Sequence, residues 1–444
     1  MELVKLRVRQ CFHVVLFLII LYLLLKTADY YLYNDNTYTR VMFHEMYHSE
    51  PIDVAFIGSS NAYRHFAPGI WDESLGMHTF NLGTSSQTPD DAYYVMKELF
   101  KSQSPKYCIY GINSILFLEL DAYDNPVKNY IIFDYLKLSL DKFAYGYTAF
   151  EEKSLLNGWI PATRNANEDL LETIKNVSDI KQMETYQTYQ YEIYEGTDEV
   201  YQGRGFVYSN RRTENGAVGK VDGYLFHDYE ISECYLSYMK RLKELCDENG
   251  TELIFVVPPL PYASMKLQED YQEIIDLYQK VADELEVALF PLDLSRPEYL
   301  LMEDDDFYDG AHMSGKGAER FSRAAAELVK KYINGEEFDE SSFFYSSYQE
   351  LLDDSPRVFN VWLEETEDGC SAQSLCGNGV SPVYSFQWSD DRGETWHMLQ
   401  EYSGNSQIMK ENLPDGCNML MVWAKPKELS GETDYQQCDR MELE

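Results

Sequence analysis

Five short apolar runs, separated by stretches of helical period, constrain this chain more than any other feature. Residues 52–57 (IDVAFI) stop at Gly58-Ser59-Ser60, residues 79–82 at Gly83, and residues 107–110 (YCIY) at Gly111-Ile112-Asn113. Residues 252–257 (ELIFVV) run into Pro258-Pro259, and residues 287–292 form the fifth run. Apolar runs this short and without alternation suit strands buried on both faces. Between them, residues 88–100, 236–246, 268–285 and 315–333 carry helical spacing. The first of these opens on Pro89 with Asp90 and Asp91 in its first turn, a helix-start signal. Strands alternating with helices predict an α/β fold: a three-layer parallel sheet with helices on both faces. Such sheets bind ligands at the carboxyl ends of their strands, where the glycine turns fall.

The rest of the chain departs from this rhythm in three places. Residues 11–25 (CFHVVLFLIILYLLL) are uncharged and follow Lys5, Arg7 and Arg9. With flanking apolar and aromatic residues they can form a transmembrane helix, and the positive-inside rule keeps the N-terminus cytoplasmic. A cleaved signal peptide or a buried helix is the competing reading, although KTADYYLYN is a poor cleavage site. Residues 120–235 hold polar helical segments and many tyrosines and read as an α-rich insertion covering one end of the sheet. Residues 335–356 read as a linker. Beyond them the period changes to two, with strands expected at 358–363, 384–388, 395–399, 406–409 and 418–423 and a hairpin turn at 389–394. That pattern predicts a small β-sandwich of immunoglobulin or fibronectin type. The domains expected are therefore an anchor (1–28), an α/β domain (50–334), the linker, and an accessory β domain (357–444). Trp388 and Trp396 could stack on a glycan there or serve its core.

Charge narrows the partners. A net charge of −38 leaves no clustered basic surface for a phosphate backbone, which excludes nucleic acid and makes polyanionic acceptors unnatural. The 37 tyrosines could stack on sugars or pack inside. The histidines His44, His48, His78 and His227 have no metal-site spacing, and no phosphate loop or dinucleotide fingerprint occurs. No metal or cofactor is expected. The eight cysteines match no zinc pattern, and an exported chain permits disulfides among them.

Four turns carry the chemistry. Ser60 follows a strand and opens a helix, where backbone N–H groups can face a developing oxyanion. Gly83 ends the second strand, where a backbone N–H can approach a substrate. Asn113 ends the third and offers a side-chain amide. Asp309-Gly310-Ala311-His312 precedes the last helix, and three-residue spacing lets the carboxylate hold one imidazole nitrogen while the other faces the serine. A hydroxyl needs such a base because it is a weak nucleophile at neutral pH. Arg64 and His65 lie one helical turn beyond the serine, so one of them could face the cleft; His65 reads as an ordinary helix residue.

In this order the motifs resemble the four blocks of the SGNH (GDSL-like) hydrolase superfamily: Gly58-Ser59-Ser60, Asn81-Leu82-Gly83, Gly111-Ile112-Asn113 and Asp309-Gly310-Ala311-His312. The resemblance covers residues 52–119 and 236–334. It departs from the pattern at Ser59 and Ser114, where the family has aspartate. It implies Ser60 as nucleophile, His312 as general base and Asp309 as its orienting carboxylate, with the Ser60 N–H, Gly83 N–H and Asn113 amide as oxyanion hole and no cofactor. The run from 58 to 64 (GSSNAYR), the anchor and the long insertion look like the membrane-anchored branch, which includes the D-alanyl-transfer protein of teichoic acid and alginate O-acetylation proteins. That likeness implies an extracytoplasmic serine esterase or O-acyltransferase at the cell membrane. It would transfer an acetyl group on cell-surface carbohydrate beside a membrane-bound O-acyltransferase partner. The alternative expectation is a catalytically silent scaffold or a glycan-binding protein of the cell envelope.

Overall fold

The computed structural model describes residues 2–112, 127–150, 154–165, 169–191, 198–211, 230–268, 270–429 and 436–443. It divides into two compact units. One holds residues 1–49, 94–102 and 121–194; the other holds residues 50–93, 103–120 and 195–444.

In the first unit a helix spans Glu2–Leu32, and its stretch Arg9–Leu32 is long and apolar enough to cross a membrane. Its 24 residues reach about 36 Å, more than the ~30 Å of a hydrocarbon core. The other helices of this unit gather at the C-terminal end of the long one. Asp29 Oδ1 accepts from the Ala162 N–H at 3.0 Å, and Lys181 Nζ donates to the Tyr30 carbonyl at 2.9 Å. Tyrosines do much of the joining. The Arg40 guanidinium lies 3.7 Å over the Tyr186 ring, whose hydroxyl donates to Asp35. Arg164 holds Asp134 through two nitrogens at 2.8 Å and lies 3.7 Å over Tyr130. A guanidinium over a ring gains most where both are shielded from water.

In the second unit the expected parallel sheet is present. Strands β1 (Val54–Gly58), β2 (Thr79–Asn81) and β3 (Tyr107–Gly111) precede a two-stranded antiparallel hairpin, β4 (Glu199–Tyr201) and β5 (Val207–Ser209). Strands β6 (Glu252–Val257) and β7 (Ala288–Pro291) complete a five-stranded parallel sheet in the order β2-β1-β3-β6-β7. All five residues of β1 are buried, as its unbroken apolar run requires. Val54 and Phe56 meet Phe66, Trp71, Ile254 and Phe321 in one apolar core. Full burial of each such large side chain is worth about 1.5–3 kcal/mol. The helix Gly315–Ile333 spans the expected residues. It begins behind Ser314, whose hydroxyl accepts from the Gly317 N–H at 3.2 Å.

The hairpin was not foreseen. It lies within the stretch read as one insertion, yet it belongs to the second unit, where it forms its own two-stranded sheet whose turn bonds to the end of β2. The Asn81 N–H donates to the Arg204 carbonyl at 2.9 Å. Gly205 has φ +80°, and a Cβ there would sit 1.8 Å from the Asn81 carbonyl oxygen. Short strands of three residues carry too few side chains for an alternating pattern to register.

The C-terminal residues form two antiparallel sheets. One has β8 (Val358–Thr366), β9 (Gly369–Cys376) and β12 (Gln407–Met409); the other has β10 (Pro382–Ser389), β11 (His397–Ser403), β13 (Met419–Pro426) and β14 (Gln437–Glu442). Val361, Leu363 and Ala372 of the first meet Phe386, Leu420 and Val422 of the second in a common core. Trp388 packs against this core and against the His397 ring. Strands β9, rich in Ser and Cys, and β14, rich in charged residues, were not expected. The segment read as a linker carries a helix, Tyr348–Asp353, with Leu351 fully buried. None of the eight cysteines is in a disulfide.

One buried acid makes stability depend on pH. Asp293 follows β7 and accepts from the Tyr271 hydroxyl at 2.8 Å. Burial pushes its carboxyl up to about 7, although Tyr271 and nearby backbone N–H groups partly oppose the rise. Between the ordinary aspartate value and pH 7 the folded form therefore holds a proton that the unfolded form has lost. Stability from this group is full below pH 4 and falls as pH rises to 7. Asp293→Asn keeps the acceptor without the charge. Its melting temperature is expected to exceed the parent's at pH 8, on the order of 5 °C, and to match it at pH 4. Melting curves at the two pH values check this.

Candidate active site

The site begins with a notch of three glycines. Gly58, Gly83 and Gly111 stand at or just beyond the carboxyl ends of β1, β2 and β3. A Cβ on them would lie 3.1, 2.7 and 3.7 Å, respectively, from the methyl group of Ala62. Because these positions carry no side chain, the short helix Ser60–His65 can rest directly on the strand ends. Gly58 also has φ +133°, and a Cβ there would come within 2.7 Å of the Gly111 carbonyl oxygen. The Ser59 hydroxyl caps the helix by accepting from the Asn61 N–H at 3.4 Å. Ser60 is thereby the first helical residue, held at the edge of the sheet and partly exposed.

The structure brings Ser60, His312 and Asp309 together. Ser60 Oγ is 2.7 Å from His312 Nε2, and His312 Nδ1 is 2.9 and 3.0 Å from the two Asp309 oxygens. Asp309 Oδ1 also accepts from the Ala311 N–H at 2.8 Å and the His312 N–H at 2.7 Å, so the loop folds around its own carboxylate. Burial alone would raise the Asp309 pKa. The His312 hydrogen bond and charge, together with the two amides, outweigh it and hold the carboxyl below the usual aspartate range. The Tyr308 ring stacks on His312, with centroids 5.4 Å apart and an 8° interplanar angle. This limits rotation of the imidazole.

The expected oxyanion donors are placed unevenly. The Gly83 N–H donates to Asn81 Oδ1 at 2.9 Å. Asn81 in turn donates to the Ala62 and Phe66 carbonyls at 2.8 and 2.9 Å. Gly83 thus serves helix packing here, and its amide already has a partner. Asn113 lies outside the described residues. Ser86, in the turn that follows Gly83, has left-handed backbone with φ 53°.

Residues outside the four turns also shape the site. Arg64 reaches toward the Ser60 side of the helix, 5.0 Å from the Tyr63 ring and 5.4 Å from the Tyr308 ring, and pairs with Glu199 of β4 at 2.5 Å. Burial would lower its pKa, but Tyr63, Tyr308 and Glu199 together raise it, so the guanidinium stays charged. The hairpin β4–β5 thereby forms one wall beside the nucleophile turn, and Tyr208 fills the space above Gly315. Tyr308, directly before Asp309, was the one signal in the sequence for an aromatic neighbour of the histidine. Glu199 gave none, because it lies more than eighty residues from any motif. His65 is fully buried, and its Nε2 accepts from the Met313 N–H at 3.0 Å. Among the described residues a group of three acids, Glu303, Asp305 and Asp306, comes close enough to hold a metal. Asp306 there already binds Arg320 at 2.8 Å and accepts from the Glu303 N–H.

The strand order, the serine turn after β1 and the Asp-x-x-His loop before the helix Gly315–Ile333 are those expected of an SGNH (GDSL-like) fold. Solved structures similar to this chain include TesA, at 8% identity and a TM-score of 0.28, covering 63% of this chain and 97% of that one. A GDSL-like lipase from Bacteroides thetaiotaomicron shares 12% identity at a TM-score of 0.29, covering 68% and 98%. The lipase/acylhydrolase from Enterococcus faecalis shares 11% at 0.26, covering 63% and 96%. No family model and no curated protein matches the sequence.

The glycine notch is open to a direct check. Gly58→Ala meets both a left-handed φ and a backbone oxygen that cannot move aside. It is expected to cost on the order of 2 kcal/mol or more, read as a lower urea midpoint.

Proposed function

We propose that this chain is a membrane-anchored serine hydrolase of SGNH type, an esterase or O-acyltransferase acting on cell-surface carbohydrate, with acetyl as the acyl group. The observation that supports it most is the unbroken hydrogen-bonded line from Ser60 through His312 to Asp309. In this mechanism His312 Nε2 takes the Ser60 proton as Oγ attacks the ester carbonyl. The ester C–O bond breaks and the leaving alcohol takes that proton from His312. An acyl-Ser60 remains. Water, or a sugar hydroxyl, then gives its proton to His312 and attacks the acyl carbon; the acyl–Oγ bond breaks, and His312 returns that proton to Ser60 Oγ. Asp309 stays ionised throughout, holding the Nδ1 proton and the positive charge that forms on the ring. The Ser60 N–H, Gly83 N–H and Asn113 amide are the proposed donors to the oxyanion. For Gly83 this requires its bond to Asn81 to be shared or exchanged.

The apolar helix would anchor the chain with its N-terminus in the cytoplasm. The acceptor would be a neutral glycan, since the net charge of −38 repels polyanions. A membrane-bound O-acyltransferase would be the donor-side partner. The engaged Gly83 amide favours a second reading, in which the same fold is a silent scaffold.

A fluorophosphonate probe on the full chain in detergent separates the two. Labelling is expected on the parent and absent in Ser60→Ala; labelling that persists in Ser60→Ala refutes the nucleophile. His312→Ala is expected to lower turnover of a small acetyl ester by about 10³-fold or more, and an unchanged rate refutes the base. The pH dependence follows from Asp309. Its carboxyl is held below the usual range, so its ionic contribution is present above pH 4 and lost only as pH falls through that depressed value. The acid limb of log kcat/KM between pH 5 and 8 is therefore expected to titrate one proton. A slope of two would contradict the assignment.

A further inference from the structure

We infer that the short helix carrying Ser60 also fixes the position of His312, through a two-point clamp made by Asn61 and His65. This rests on the reading of Ser60 and His312 as nucleophile and base, and it assigns Asn61 and His65 as positioning residues.

The two side chains are four residues apart and share one face of the helix. They reach the base loop on either side of His312. Asn61 Nδ2 donates to the Ala311 carbonyl at 3.4 Å, and His65 Nε2 accepts from the Met313 N–H at 3.0 Å. Both residues are buried, Asn61 at 2% exposure and His65 at 0%. His65 is itself pinned. Its carbonyl accepts from the Ser322 hydroxyl at 2.9 Å, and that oxygen accepts from the Ala67 N–H at 2.9 Å. The nucleophile helix, the base loop and the helix Gly315–Ile333 therefore meet at one residue, His65.

The chemistry selects a histidine here. Met313 N–H is a donor, so Nε2 must be bare, and the ring must be neutral with its proton on Nδ1. Burial, aided by the neighbouring His312 and the Arg64 charge and only partly opposed by Asp309, holds the His65 pKa well below the usual histidine range. A protonated ring would point a donor at a donor and release the loop. Asp309 orients the imidazole of His312 within its loop. The clamp sets the loop's distance from the serine, which Asp309 cannot do because it belongs to the same loop. Displacement of a reacting group by about 1 Å can cost 10²-fold in rate.

Two substitutions separate positioning from packing. His65→Phe keeps the ring and loses the acceptor. His65→Gln loses the ring and keeps an acceptor at similar reach. Kinetics on p-nitrophenyl acetate are expected to show kcat for His65→Phe lowered by about 10²-fold, with KM within about 2-fold of the parent. For His65→Gln, kcat is expected to return to within about 5-fold of the parent. A ring that merely fills space predicts the opposite order. Equal or higher kcat for His65→Phe than for His65→Gln overturns the clamp while leaving Ser60 and His312 in place, provided the parent is labelled by fluorophosphonate. A parent that is not labelled at all overturns the hydrolase reading and the clamp with it. If His65→Phe does not fold, Asn61→Ala serves: kcat lowered by about 10-fold with KM unchanged supports the clamp, and parental kcat refutes it.

Discussion

The close seating of one short helix on three strand ends is the constraint on which the rest of the site depends. Ala62 enters a notch that exists because Gly58 and Gly83 present no side chain, and Gly111 likewise makes room for Phe66. Its helix then starts at the edge of the sheet, and Ser60 emerges where the carboxyl ends of parallel strands leave a crevice. The loop that carries His312 lies 252 residues further along the chain than the serine. It reaches the serine by folding around Asp309, by resting under Tyr308, and by bonding to the helix through Asn61 and His65. Backbone geometry sets the nucleophile, and side-chain hydrogen bonds set the base.

What could be read from residues alone follows from the range of the forces involved. The parallel sheet was legible because strands such as 52–57 and 252–257 are buried on both faces and therefore unbroken in hydropathy. Their ends shift by a residue or two in the structure, since Gly58 still pairs with Gly111 beyond the last apolar side chain. Asp309 and His312 were legible because their interaction is local. The hairpin at 199–209 was not, because three-residue strands gain their place from Asn81 and Arg204, which no local pattern connects. Gly83 was read as a substrate-facing amide. Its absence of a side chain proves to matter as much for the approach of Ala62, and its N–H is taken by Asn81. A glycine after a strand signals close approach without saying what approaches.

Acidity and tyrosine content looked like clues to a substrate and turn out to have structural uses as well. In the first unit, Asp35, Asp134 and Glu98 receive phenol hydrogen bonds from Tyr186, Tyr33 and Tyr47. Arg40 and Arg164 lie over tyrosine rings beside those same acids. In this chain, poor in lysine and arginine, guanidiniums such as these sit where a ring and a carboxylate share them. In the second unit Arg64 follows the same pattern beside the site, between Tyr63, Tyr308 and Glu199.

The claim at the centre is that Ser60 forms a covalent acyl intermediate. The most direct measurement is to mix the full chain with p-nitrophenyl acetate, quench in acid within the first turnovers, and map the peptides by mass spectrometry. An acetyl group on Ser60, formed at the rate of the initial burst and absent in Ser60→Ala, is the predicted result. Steady release of p-nitrophenol with Ser60 unmodified at every quench time, and undiminished in Ser60→Ala, would contradict it.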